Sequence, residues 1–290
     1  MNRLGKLHWL DWAILALLIL FAGYVWFRID GALNYKWRWE IIPQYLFRYD
    51  EEKGRWVANI LMQGLMNTVR ISVLAGMLAL VLGTVLGLAR VAQNLAVRML
   101  ARTYLEVLRN VPAVVVIFIF YFFLSEQLIA AFGVESWARG IARGENAWIW
   151  ESFFGDMRRF PSLISGILVL ALFESAFVGE IVRAGIQSIP KGQREAAQSI
   201  GMTWGDEMRF IVLPQAMRKV VPPLASEFIA LVKNSAIVSL ISVHDLTYKT
   251  VELVSSTRAI FEAWITTAVL YGGLCFLLSL LFRRLERGKG

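Results

Sequence analysis

Long apolar runs alternate with polar segments along this chain. An α-helix needs about 20 predominantly apolar residues to cross roughly 30 Å of hydrocarbon. Six runs approach that length, so the pattern predicts an all-α integral membrane protein with about six transmembrane helices. The runs are Trp12–Phe27, Thr68–Ala92, Val111–Leu124 (or on to Phe132), Ser162–Ile181, Val220–Val243 and Glu262–Phe282.

The first run is the weakest candidate for a membrane span. Trp12–Phe27 has 16 residues, a helical rise of only about 24 Å. Arg3 and Lys6 precede it, so a cleaved signal peptide is an alternative to an uncleaved anchor. No small-x-small cleavage site follows the run, which favours the anchor.

The fifth run contains residues that interrupt a simple span. Pro222, Pro223, Glu227 and Lys233 all lie within it. Proline breaks helix hydrogen bonding and charges are costly in lipid. The pattern therefore predicts a helix that is either broken or buried among other helices.

Composition narrows the class of protein further. Of 290 residues, 57% are hydrophobic and 18% charged, with a mean hydropathy of +0.56. One cysteine, Cys275, excludes an internal disulfide framework, and two distant histidines argue against a Cys/His metal site. The net charge of +8 fits basic flanks facing anionic lipid better than it fits nucleic acid binding.

Two features of the runs and their connections have alternative interpretations. In the second run, Ala75, Ala79, Gly83 and Gly87 recur every four residues and share one helix face. That face favours close helix packing in lipid over a direct substrate role. The polar segments 30–59 and 133–160 are rich in tryptophan, which predicts either an interfacial aromatic belt or a docking surface for a partner.

The polar segment Gly185–Pro214 reads as two short helices outside the bilayer. Gln193–Ile200 predicts the first, and Gly201 suits its end. Thr203 suits the cap of a second helix, Trp204–Ile211, which is expected to end before Pro214. These helices are too short to form a core of their own, so the segment predicts packing against a partner protein.

Motifs in and around this segment carry a resemblance to a known family. Glu195-Ala196-Ala197, three residues and Gly201 precede Ile211-Val212-Leu213-Pro214, and the stretch 180–193 and Pro222-Pro223-Leu224 flank them. The chain thereby resembles the permease subunits of bacterial ABC importers, specifically the polar amino acid permeases of histidine/glutamine type. The resemblance covers about Gly64 to Arg287 and implies that the 185–214 loop, the EAA loop, is cytoplasmic.

The resemblance implies a type I ABC importer fold, with a five-helix permease core plus an N-terminal helix. Residues 1–62 would form a transmembrane anchor and a periplasmic segment, and residues 63–287 the transmembrane domain. The protein would be a multi-pass subunit of the bacterial inner membrane, with both termini cytoplasmic. A weak excess of Lys and Arg on the predicted inner side agrees with that orientation.

The resemblance also implies the partners. A second permease, identical or paralogous, would share the pathway, and a periplasmic amino acid-binding protein would deliver the substrate. An ABC ATPase dimer would use ATP and Mg²⁺, whereas this chain, which lacks a G-x-x-x-x-G-K-[ST] motif, would bind no cofactor and would not be an enzyme. The residues expected to couple to the ATPase are Glu195, Ala196, Ala197, Gly201, Ile211, Leu213 and Pro214.

Charges deep in the spans are candidates for the substrate pathway. Glu174 lies near the middle of the fourth run, and Lys233 lies beside Asn234 and Ser235 in the fifth. They would bind the ends of a zwitterionic amino acid or pair with each other. By the resemblance Lys233 recurs whatever the substrate, whereas Glu174 departs from the pattern and is the better candidate for a substrate-specific contact.

Other classes of protein remain to be distinguished from a permease. A secondary transporter or channel subunit would need no ATPase, although no repeated halves of the kind common in such transporters are visible. A membrane enzyme lacks support, because no His/Asp/Glu or Ser/His set has catalytic spacing. His244 is accordingly expected to be an interface residue.

Overall fold

The computed structural model of the protein describes residues 9–33, 35–52 and 54–287. They are mostly helical and divide into two compact units, with the division along the chain between Ile42 and Pro43. The helices are α1 Trp9–Leu33, α2 Ile42–Leu46, α3 Ile60–Ala89, α4 Leu95–Asn110, α5 Ala113–Phe120, α6 Glu126–Ala131, α7 Val134–Ala142, α8 Ala147–Phe154, α9 Phe160–Gln187, α10 Lys191–Ser199, α11 Trp204–Asp206, α12 Leu213–Asn234, α13 Leu246–Thr257 and α14 Ile260–Arg287. The predicted flanking charges Arg3 and Lys6 lie outside the described residues.

Five helical stretches are long and apolar enough to cross a membrane. They are Ile60–Ala89, Ala113–Ala131, Met157–Gln187, Trp204–Ile241 and Ile260–Arg284. In the N-terminal unit, α1 carries a shorter apolar stretch, Trp9–Val25. Five spans plus an N-terminal helix confirm the predicted membrane fold, and the only strands among the described residues form a hairpin of β1 Phe47–Asp50 and β2 Arg55–Ala58.

The second predicted span begins earlier than its charge pattern suggested. We expected it from Thr68, but α3 begins at Ile60 and continues through Arg70. The Arg70 guanidinium is satisfied within the fold, because it donates to the Asn67 side chain at 2.9 Å and to the Ser152 carbonyl at 3.2 Å. A charge with acceptors at the end of a span need not terminate the helix.

Helices α3 and α9 form the central pair, and the small-residue stripe is their contact. Ala75 and Ala79 are fully buried. A Cβ on Gly83 would lie 2.5 Å from the Val178 Cβ, and one on Gly87 would lie 2.6 Å from the Val182 Cβ. The packing role predicted for the stripe is confirmed, and the paired four-residue steps show that α3 and α9 run in the same direction.

The fifth span is one long helical segment. A π-helical segment, Glu207–Val212, joins α11 to α12, and a 3₁₀ segment, Ser235–Ile241, follows α12. The predicted helix end before Pro214 is therefore wrong. Pro214 lies in the first turn of α12, directly after the widened π turn, so its missing N–H interrupts no regular α-helical ladder.

Tryptophans of the segment before α9 pack partly on one another. Trp137 contacts Trp150 edge-on, with ring centroids 5.4 Å apart, and Phe160 at 5.3 Å. Trp148 in the same segment is exposed. The segment thus has a small aromatic cluster of its own at the end of α9 that is opposite to the EAA loop.

Candidate functional site

The first half of the EAA loop is a short helix with a defined end. Gly201 follows α10 with a φ of +81°, a conformation that glycine adopts without strain. The Met202 N–H donates to the Ala197 carbonyl at 3.1 Å, and the Gly201 N–H donates to the Gln198 carbonyl at 3.0 Å. These two bonds form a Schellman motif, so the predicted stop at Gly201 is confirmed with its mechanism.

A covered carboxylate connects the two halves of the loop. The side chain of Glu207 is only 1% exposed and accepts from the Arg194 guanidinium and from Gln198 Nε2, the latter at 3.1 Å. Both of its oxygens therefore have charged or polar partners on α10. Thr203 caps the next turn, as predicted, by accepting from the Asp206 N–H at 3.3 Å.

The motif residues of the loop divide into an exposed and a covered set. Glu195, Ala196, Gly201 and Pro214 are exposed, Ile211 and Leu213 are half-buried, and Ala197 is buried. Ile200 is 78% exposed despite being apolar, and Trp204 and Phe210 are also exposed. An apolar surface on a turn with this hydrogen-bonded frame is suited to contact another protein.

Glu174 lies in the wall of a cavity of about 350 Å³ between α3, α9, α12 and α14. Most of the cavity is apolar, with Phe228, Leu231 and Phe282 among its lining residues, and its charged residues are Glu174 and Glu227. Glu174 is fully buried and accepts a hydrogen bond from Asn234 Nδ2 at 2.9 Å. Its second oxygen has no hydrogen-bond partner among the described residues.

The other three predicted pathway residues are not among the residues that line this cavity. Asn234 contacts Glu174, Ser235 is buried and bonded to the Val232 carbonyl at 2.8 Å, and Lys233 is exposed. Within the part of the chain that the structure describes, Glu174 and Lys233 form no ion pair. Mutual pairing, one of the two alternatives for these charges, is therefore not seen among the described residues, where Glu174 is buried and Lys233 is exposed.

Sequence reasoning missed the partners that complete both sites. Glu207 was not singled out, because its contacts to Arg194 and Gln198 join two elements across a turn and follow no helical spacing. Glu227 was noted only as a charge that interrupts the fifth run, yet it lines the cavity with Glu174. Its position one helical turn from Leu224 and Leu231, which also line the cavity, is a periodic signal that could have shown this.

Metal ligation has no candidate within the described ranges. No group of three or more His, Cys, Asp or Glu side chains there could hold an ion. What the arrangement offers instead is a structured polar loop at one end of the spans and an apolar cavity with two carboxyls between them.

Known proteins share this arrangement of sequence and fold. A family model described as "Binding-protein-dependent transport system inner membrane component" matches residues 53–290. The probable glutamine ABC transporter permease protein GlnM of Bacillus subtilis (strain 168) is 34% identical over 229 residues, which are 79% of this chain and 93% of that protein. The glutamate/aspartate import permease protein GltJ of Escherichia coli (strain K12) is 30% identical over 88% of this chain and 96% of its own length.

Solved structures agree with the sequence relatives. A chain from the "Crystal structure of an amino acid ABC transporter with histidines" is 31% identical with a TM-score of 0.62, covering 79% of this chain and 93% of its own. A chain of the inward-facing MetNI methionine ABC transporter has a TM-score of 0.59 over 79% of this chain and 95% of its own. At 18% identity, the second likeness concerns the fold alone.

Proposed function

Because the chain belongs to the family of binding-protein-dependent transport system inner membrane components and has the type I ABC importer fold, we propose that it is a permease subunit of an ATP-driven amino acid importer. The named relatives are permeases for glutamine and for glutamate and aspartate. The same line of reasoning puts the protein in the bacterial inner membrane, with the EAA loop and both termini in the cytoplasm.

The EAA loop is the surface that receives force from the ATPase. The observation that supports this role is the exposed set Glu195, Ala196 and Ile200 on a turn held by the Schellman motif and by Glu207. A lever has to transmit displacement without bending, and the Glu207 contacts fix α10 to the start of the fifth span. ATP closure of a docked ATPase dimer would then move α12 with the loop.

Other subunits complete the transporter. A second permease, identical or paralogous, forms the pathway together with this chain, and a periplasmic amino acid-binding protein supplies the substrate at the opposite end. ATP and Mg²⁺ are used by the ATPase subunits, so this chain itself is not an enzyme.

Glu174 is the substrate-facing residue that the cavity favours. One of its oxygens has no hydrogen-bond partner among the described residues, and the surrounding walls are apolar apart from Glu227. An ammonium or other cationic group of the substrate would satisfy that oxygen, since a buried carboxylate is stable only when paired or hydrogen-bonded. Asn234 positions Glu174, while the exposed Lys233 and the buried Ser235 flank the pathway on α12 and at its end.

The docking role is tested by Ile200→Asp in the complete transporter. Ile200 is too exposed to contribute to folding, so the variant is expected to insert normally but to lose co-purifying ATPase and ATP-dependent uptake. Ile149→Asp, at an exposed position of α8 beyond the other end of α9, is the matched control and is expected to retain both.

Two results would contradict the proposal. Normal ATPase co-purification with normal uptake in Ile200→Asp would remove the docking role. Uptake that follows an imposed ion gradient in vesicles lacking any ATPase would instead support a secondary transporter or channel.

A further inference from the structure

Helix α4 lies against α9 with one side and leaves its other side uncovered. Ala101, Leu105 and Leu108 are buried, and the Tyr104 hydroxyl donates to the Leu172 carbonyl at 2.9 Å. On the remaining surface, Leu100 is 74% exposed, and Leu95, Met99 and Val107 are also exposed. An amphipathic helix with an uncovered apolar face next to transmembrane helices is typical of a lipid interface.

Arginines border this apolar face. Arg98, Arg102 and Arg109 are spaced so that they share one side of α4. Arg98 and Arg102 line a cavity of about 460 Å³ together with Arg90, which follows α3. Leu95 and Met99 form part of the same cavity wall, so cationic and apolar side chains meet at one place.

Acidic side chains of the described residues do not balance the arginines of this cavity. Glu106, which also lines it, is already paired with Arg102 at 2.6 Å. Glu180, the nearest carboxylate of α9, is paired with Arg183 at 2.5 Å and with Arg109 at 3.5 Å. The Arg90 Nε atom is buried and has no acceptor among the described residues, and Arg98 donates to the Ala92 carbonyl at 3.3 Å.

We propose that the cavity between Arg90, Arg98 and Arg102 binds the headgroup phosphate of an anionic phospholipid. Guanidinium groups match phosphate oxygens in fork geometry, and the exposed Leu95 and Met99 would contact the glycerol and acyl region of the same molecule. The apolar rim favours a lipid over free phosphate. Because α3 and α9 run in the same direction, the cavity lies at the end of the spans that carries the EAA loop. Naming that leaflet cytoplasmic rests on the proposed function.

The test measures lipid retention by the purified, complete transporter. The transporter is reconstituted in nanodiscs of phosphatidylcholine with one-fifth phosphatidylglycerol, extracted into detergent, and analysed by native mass spectrometry. The wild type is expected to retain phosphatidylglycerol, and the Arg98→Gln/Arg102→Gln variant, which loses two basic residues, to retain about 25-fold less, given roughly fivefold per basic residue near an anionic surface. Arg139→Gln/Arg143→Gln, with two exposed arginines removed from the segment beyond the other end of α9, is the matched control and is expected to behave as the wild type.

Each further outcome decides for or against the lipid. Arg98→Lys/Arg102→Lys, which keeps the charge, is expected to restore most of the retention, and this guards against a folding defect in the glutamine variant. Equal retention in all variants overturns the proposal. A melting temperature that inorganic phosphate alone raises in pure phosphatidylcholine also overturns it, because that result indicates a free-anion site. Loss of permease pairing by the glutamine variant in every lipid overturns it too, because that result indicates a subunit interface. ATPase co-purification, measured in parallel, reports on the proposed function separately.

Discussion

Two covered carboxylates, Glu207 in the EAA loop and Glu174 between the spans, differ in how far the fold satisfies them. Glu207 has partners for both oxygens, Arg194 and Gln198. Glu174 has one partner, Asn234, and an oxygen left without any among the described residues. A fully bonded carboxylate holds structure together, whereas a half-bonded one at a cavity is available to a ligand.

The largest effect is expected from removing Glu207, the carboxylate with partners for both oxygens. Glu207→Ala leaves Arg194 and Gln198 without their acceptor, and the cost of about 1–3 kcal/mol falls on the contact between α10 and the fifth span. We expect ATPase co-purification and uptake to fall about tenfold or more while membrane insertion is unchanged.

Glu207→Gln is the control for this prediction. Its amide oxygen still accepts one hydrogen bond, so it should recover part of the coupling. Uptake that is equally normal in both variants would show that the connection between the halves of the loop is not needed.

A change at Glu174, which has one oxygen without a partner among the described residues, should alter substrate affinity rather than folding. Glu174→Gln keeps an acceptor for Asn234 but removes the negative charge. We expect normal assembly and a KM for uptake raised about tenfold, the effect of losing one charge-assisted hydrogen bond of about 1.5–3 kcal/mol. Glu135→Gln, an exposed carboxylate in α7, is the matched control, and an unchanged KM and substrate profile in Glu174→Gln would contradict the assignment.

The framework that positions Glu174 can be weakened separately. Gly83→Ala places a Cβ 2.5 Å from the Val178 Cβ and 2.8 Å from the Ser175 carbonyl oxygen, next to Glu174 in the chain. Overpacking of this kind costs about 1–3 kcal/mol, so the melting temperature in detergent should fall. Gly192→Ala, where nothing lies within 4 Å of the added Cβ, should not lower it; equal melting temperatures would show that α3 and α9 readily move apart.

A third covered carboxylate, Asp245, extends the comparison to pH. Its oxygens accept from the Tyr248 N–H at 2.8 Å and the Tyr271 hydroxyl at 3.0 Å, yet burial raises its pKa to about 6. The pKa of its neighbour His244 is lowered to about 4, first by burial and then by Arg159 and Lys249.

These two shifts have opposite consequences for stability. Between about pH 4 and 6 the folded protein holds a proton on Asp245 that the unfolded chain has released, so this contribution falls as pH rises. Between about pH 4 and 6.5 the unfolded chain protonates His244 and the folded protein does not, so that contribution rises. The measurement is the melting temperature as a function of pH, with the double variant as the reference. We expect the melting temperature of His244→Gln to fall as pH rises, because Asp245 remains, and that of Asp245→Asn to rise, because His244 remains. Identical slopes in both single variants would refute the opposition.

Several elements were predictable because local spacing encodes them. The four-residue repeat of Ala75, Ala79, Gly83 and Gly87 defines a helix face whatever it packs against, and Gly201 after Ile200 identifies a helix end. The helix end expected before Pro214 was wrong, because sequence reasoning takes a proline as the end of a helix. The π-helical turn before it, which keeps the segment continuous, has no sequence signature of comparable strength.

The sequence alone determined the membrane class, the approximate spans, the EAA motif and the resemblance that led to the family, since each depends on residues close together in the chain. The tertiary structure alone decided which charges meet. Glu174 contacts Asn234 and shares a cavity with Glu227, Lys233 is exposed, and Glu207 joins the halves of the loop. Those outcomes depend on side-chain direction and on the packing of α9 against α12, and residues 60 positions apart carry no periodic signal of their contact.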